Sequence, residues 1–231
     1  MKYSAGIGKP NRNTLRMLRA PLLLTLASAI IALPIAGGWL QQVLQFDRDA
    51  IRNGEVWRLV TGHFTHRTFD HFFWDTVTFG FLAALCAIRS QKRFLATAGI
   101  STLLISATVW ICHPEIHFYR GLSGIDSALF ALLAVSILKE SLAERDWPYL
   151  LLGCGLTAAF IGKTAFELVT GSTLFVDSQA VNTLCLVHVV GAVVGAGIGL
   201  AGGRTQTNSM QQDQVAGIPN LSVTIPIRVN K

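Results

Sequence analysis

The sequence predicts an all-α polytopic membrane protein, a bundle of six transmembrane helices. Three observations carry that expectation. The 231-residue chain is 51% hydrophobic and only 14% charged, where soluble domains carry about 25% charged residues. The deficit sits in six apolar runs, at about 20–40, 72–88, 94–112, 122–138, 149–169 and 183–201. Each approaches the roughly 20 residues that a helix needs to cross a bilayer. The segments between the runs alternate between many and few basic residues, the signature of membrane topology. One compact helical domain over residues 20–202 is therefore expected. A basic tail (1–19) precedes it and a flexible polar tail (203–231) follows.

Taken in order, the tail carries Lys2, Lys9, Arg12, Arg16 and Arg19. The first span contains Pro34, Gly37 and Gly38, which suit a tilted or kinked helix. Residues 1–36 also have the layout of a signal peptide, with Ala27-Ser28-Ala29 as a cleavage site, but the apolar stretch is long for one. The connection 41–71 is the longest. Its Asp47, Glu55, Trp57 and Arg58 point to an ordered, partly interfacial loop, with Trp39 and Trp57 at headgroup level and the Trp57-Arg58 pair as an anchor. Arg89, Lys92 and Arg93 separate spans two and three. Residues 139–148 form a short charged turn ending at Pro148. Span five carries Lys163 and Glu167 one turn apart, read as a mutually neutralising pair with Lys163 snorkelling. The polar tail, with two prolines, reads as disordered. Cys86, Cys112, Cys154 and Cys185 all fall in spans without short spacing, so they read as small core residues, neither disulfides nor zinc ligands.

The +6 net charge is distributed as topology. The N-terminal tail, the 89–93 and 139–145 connections, and Arg204, Arg228 and Lys231 hold thirteen basic residues on one side. The other side has Arg48, Arg52, Arg58, Arg67 and Arg120. Both termini are thus expected in the cytoplasm of a bacterial inner (plasma) membrane. No basic helix or aromatic-basic interleaving suggests nucleic acid. The lipid bilayer is the expected surrounding.

That topology gives every intramembrane polar residue a depth. Spans two, four and six all run inward from the outer side. His71 and Asp75 lie near the outer end of span two, and Ser123 and Asp126 near that of span four. His188 lies about one and a half turns into span six. Such residues are costly in a membrane and mark function by default. Ser123, within Gly121-Leu122-Ser123-Gly124 at a helix start, suits a nucleophile, because backbone N–H groups there are free to meet an oxyanion. His188 can take its proton and return it to a leaving amine. The N–H groups of Leu122 and Ser123, with His71 one turn from Asp75, are the candidate oxyanion donors. Asp126, one turn below Ser123, is positioned to support the pair. Gly191, Gly195 and Gly199 form a small-residue ridge that lets span six approach a neighbour closely, span four being the obvious one. His63 and His66, with His71 and Asp75, are expected to line the mouth of a water cavity. The three histidines lack zinc spacing on one helix, so no metal is expected. The inner halves of the spans lack ionisable residues, which argues against a transporter.

Together these residues resemble the rhomboid family of intramembrane serine proteases over roughly residues 54–200. The resemblance rests on Trp57-Arg58, on the series His63, His66 and His71, on Gly121-Leu122-Ser123-Gly124, and on His188-Val189-Val190-Gly191 with Gly195. It implies a six-helix rhomboid-like core and a Ser–His dyad, with neither metal nor cofactor. It also implies cleavage of membrane-anchored protein substrates near the outer face. Oxyanion stabilisation would come from His71 and from the residue four positions on. There the family usually has asparagine and this chain has Asp75, which as an ionised carboxylate cannot donate. The run Trp57-Arg58-Leu59-Val60-Thr61-Gly62-His63 looks most similar to the rhombosortase-like branch, which implies substrates with short C-terminal sorting anchors. A catalytically inactive, client-binding relative is the alternative reading.

Overall fold

The computed structural model describes residues 12–32, 34–171 and 185–203. The polar C-terminal tail beyond residue 203, the first part of the basic tail and the start of span six lie outside the described residues. Helices dominate. They are α1 (Arg12–Ala32), α2 (Pro34–Leu44), the short α3 (Arg48–Arg52) and α4 (Arg58–Thr61), α5 (Phe69–Cys112), α6 (Ser123–Glu144), α7 (Trp147–Thr170) and α8 (Cys185–Ala201).

The expected first span is described as α1 and α2, and residue 33 between them lies outside the described residues. α1 also begins earlier than the apolar run, taking in Arg12, Arg16 and Arg19. The expected second and third spans are the two helical arms of α5, which meet at a single non-helical residue, Ser90 (φ −162°, ψ 104°). That residue reverses the chain. Asp75 bonds the amide of Leu122, and a Cβ on Gly124, two residues on, would meet Ile105 Cδ1 at 2.8 Å. Residues 75 and 105 would stand ~45 Å apart on a straight helix. The polar run around Ser90 thus separates two antiparallel arms, 69–89 and 91–112.

α6 is the central helix, packed against α5, α7 and most extensively α8. Phe79, Ala83, Phe94, Ile105, Leu122, Ile125, Leu129 and Val187 form the core among them. The α6–α8 contact is made by glycine. A Cβ at Gly191 would collide with Gly124 O and one at Gly195 with Ala128 O, while at Gly199 it would meet Val135 Cγ1 at 3.0 Å. Cys86 is buried in this core, but Cys112 and Cys154 are exposed and Cys185 half-buried, so the cysteines do not share one role.

The outer connection is ordered by caps and one strand pair. Phe46–Asp47 (β1) pairs antiparallel with Phe118–Tyr119 (β2), a small addition to an otherwise all-α fold. Gly62 fits beneath because a Cβ there would lie 2.6 Å from Phe46 N. Arg48 is buried and donates to Val109 O, Trp110 O, His113 O and Ile116 O, closing the C-terminus of α5. Arg58 donates to Gln42 O at 2.6 Å and Gln45 O at 3.0 Å, closing α2. It is therefore a buried helix cap, not the interfacial anchor expected; Trp57 alone is exposed. Both arginines satisfy carbonyls that a helix end leaves free and complement its dipole.

Outward-facing apolar residues are abundant: Leu22, Leu26 and Ile30 on α1, Ile100, Leu103 and Ile111 on α5, Leu151, Ile161 and Leu168 on α7. Soluble monomers seldom expose so continuous an apolar surface, and lipid is its natural cover. Of the described helices, α5 and α7 are long and apolar enough to cross a membrane by composition, and α8 is a shorter apolar helix.

Candidate active site

Ser123 is the first residue of α6. The turn before it depends on Gly121, whose φ of +122° is left-handed. A Cβ there would fall 2.7 Å from His71 Nε2 and 3.2 Å from Asp75 Oδ2. Glycine thus permits both the turn and the close approach of this backbone to the first arm of α5. Gly124 serves the other side, where Ile105 and Val187 O crowd the chain.

The glycine ridge of α8 brings His188 onto α6. His188 Nε2 stands 3.0 Å from Ser123 Oγ. The other ring nitrogen, Nδ1, faces Glu167 Oε2 of α7 at 3.3 Å. Lys163 Nζ holds the second carboxylate oxygen, Oε1, at 2.7 Å. Glu167 is 2% exposed and His188 is 6%, so these contacts are made away from bulk water. An imidazole so placed can accept a hydroxyl proton while a carboxylate acceptor lies behind it.

Sequence reasoning paired Lys163 with Glu167 but missed His188 as the third partner. The signal was present: Glu167 lies near the outer end of span five, at the depth of the other polar residues. Asp126, expected to support the serine and histidine, is buried. Its Oδ1 is buried with no hydrogen-bond partner among the described residues.

The candidate oxyanion region differs from expectation as well. Asp75 Oδ2 accepts the Leu122 N–H at 2.9 Å and lies 3.1 Å from His71 Nε2 and 3.5 Å from His66 Nε2. Asp75 therefore stands as an acceptor among donors, and the Leu122 amide expected to be free is occupied.

His63 and His66, expected at the mouth of a water cavity, are both buried. His63 Nε2 lies 3.2 Å from Thr102 O and 3.1 Å from Ser106 Oγ. Ser106 gives its own proton to Leu59 O, so Nε2 carries the hydrogen and donates to both. Burial holds the His63 ring well below its usual range, at about 4, and it stays neutral as a tie between the outer loop and the second arm of α5. Burial also lowers His66, against the pull of Asp75. Arg120 fastens the loop from above, donating to Gln45 Oε1 at 2.7 Å and His66 O at 3.4 Å. No group of three or more potential ligands able to hold a metal occurs among the described residues.

Residues 53–205, about two thirds of the chain, match the Rhomboid domain. No curated protein matches the chain.

Proposed function

The chain belongs to the rhomboid family, generally intramembrane serine proteases, and from that premise we propose that it is an intramembrane serine endopeptidase acting through Ser123 and His188. The observation that carries the reading is the 3.0 Å contact between Ser123 Oγ and His188 Nε2. His188 takes the Ser123 hydroxyl proton as Oγ attacks the scissile carbonyl carbon. The carbonyl oxygen becomes an oxyanion beside the Ser123 N–H and His71. The intermediate collapses as His188 passes the proton to the leaving amine, leaving an ester on Ser123. Water then attacks that ester, with His188 again taking and returning a proton.

The substrate is a membrane-anchored protein cut near the outer face. In keeping with the rhombosortase-like resemblance, we place the cut beside a short C-terminal sorting anchor. The six-span topology, with both termini in the cytoplasm, follows from the distribution of basic residues. One observation favours a second reading, client binding without cleavage: the Leu122 amide is already taken by Asp75.

The test is covalent labelling of the purified protein in proteoliposomes with a fluorophosphonate, together with cleavage of an anchored reporter. Ser123 is expected to be labelled, and Ser123→Ala and His188→Ala to abolish cleavage. Cleavage that survives either substitution overturns the mechanism; an unlabelled Ser123 favours the non-catalytic reading.

A further inference from the structure

Glu167 is a buried acid that the serine–histidine pair leaves without a role. Gly153 and Glu167 are the buried residues of α7 among those described, while Leu151, Ile161, Leu168 and Val169 face outward. A carboxylate in so apolar a setting is costly unless its partners hold it there. A pair with Lys163 alone does not require this burial, since the Lys163 side chain is itself 34% exposed. The carboxylate instead turns inward, one oxygen on Lys163 Nζ at 2.7 Å and the other 3.3 Å from His188 Nδ1.

The ring of His188 has one useful orientation of its protons. If Nε2 is to accept from Ser123 Oγ, 3.0 Å away, its lone pair must point there and the ring proton must sit on Nδ1. Nδ1 faces Glu167, and a carboxylate facing a ring N–H selects that tautomer and steadies the imidazolium formed when Nε2 is protonated. We infer that Glu167 is a positioning residue that turns the serine–histidine dyad into a triad, with Lys163 clamping the acid from behind. Lys163, Glu167, His188 and Ser123 then form one chain across α7, α8 and α6. During acylation the Ser123 proton moves to Nε2, the Nδ1 proton stays on the ring, and Glu167 takes none. The inference rests on the hydrolase reading of Ser123.

The experiment uses the full-length protein in phosphatidylethanolamine–phosphatidylglycerol proteoliposomes and a fluorophosphonate–rhodamine probe. It reads kinact, KI and melting temperature for each variant. Glu167→Gln is expected to lower kinact by up to roughly 10⁴-fold, the loss seen when the acid of a serine triad is neutralised. KI should stay within about threefold, since binding of the probe does not use the acid. Glu167→Asp should recover part of the loss, and Lys163→Met should lower kinact less than Glu167→Gln does. Wild-type kinact in Glu167→Gln overturns the inference. If Glu167→Gln fails to fold, Glu167→Asp decides: a loss in kinact with KI kept supports the triad, and a wild-type kinact overturns it. An unlabelled wild type, with Ser123→Ala as the blank, overturns the hydrolase reading itself.

Discussion

Asp75 Oδ2 accepts the backbone N–H of Leu122 at 2.9 Å, across the turn that leads into Ser123. The same oxygen lies 3.1 Å from His71 Nε2. On the proposed reading, these are donors that a reaction oxyanion needs, and Asp75 competes for them. Asparagine would keep an acceptor oxygen and add an amide N–H₂. Asp75→Asn is therefore expected to raise the rate of Ser123 modification by a fluorophosphonate about tenfold, part of the roughly 10²–10³ that one oxyanion donor supplies. An unchanged or lower rate would show that Asp75 does not compete.

The contact between α6 and α8 should tolerate no side chain. A Cβ at Gly195 collides with Ala128 O, and one at Gly191 with Gly124 O, beside the serine. Gly191→Ala is expected to destabilise by about 1–3 kcal/mol through overpacking. It should also lower the labelling rate about 10²-fold by moving His188 off Ser123. Gly197, with nothing within 4 Å of its Cβ position, is the control. Gly197→Ala should leave the labelling rate unchanged and the melting temperature equal or slightly raised, since alanine favours the helix; parallel losses in both variants would refute the account.

Arg48 serves four carbonyls with one guanidinium and lies 4.8 Å from the Trp110 ring centroid. Removing it leaves buried acceptors unpaired. Arg48→Ala is expected to cost about 2–4 kcal/mol in detergent unfolding. Arg48→Lys should recover little, because an ammonium cannot reproduce the fork. Full recovery by lysine would mean that charge alone matters there.

Stability should fall on acidification. His63 titrates near 4 in the fold against 6.5 free, so between those values the unfolded chain binds a proton that the folded chain does not. The stabilisation is full above about pH 6.5 and is lost progressively down to about pH 4, by about 3 kcal/mol in all. His66 is shifted in the same direction and adds to the slope. His63→Gln should flatten the stability–pH curve in that window. A mutant as acid-sensitive as the wild type would rule His63 out as a cause.

Much of this architecture was legible in one dimension. The polar run Arg89–Arg93 separated two apolar stretches, and the chain does reverse at Ser90, where the helix is interrupted. The glycine spacing in α8 announced a close neighbour. What escaped depends on contacts between distant residues. Glu167 had a partner one turn away, so its inward oxygen left no trace in local spacing. Arg58 resembled a surface anchor because a basic residue beside tryptophan says nothing of the carbonyls of α2 that it meets. Asp75 was conspicuous as an acid, but only the fold shows which amide it accepts. Asp126 had the right helical spacing, but a helical period fixes a face and not the neighbour across from it.

The separation of α6 and α8 is not uniform along their length. Backbone meets backbone at Gly191 and Gly195, but at Gly199 a Cβ would have 3.4 Å to Leu132 O. The pair is tightest at Gly191 and Gly195, over the two turns that follow His188, and looser one turn further on. A tilt of the far end of α8 about that tight contact is therefore expected to reach His188 over a short lever arm.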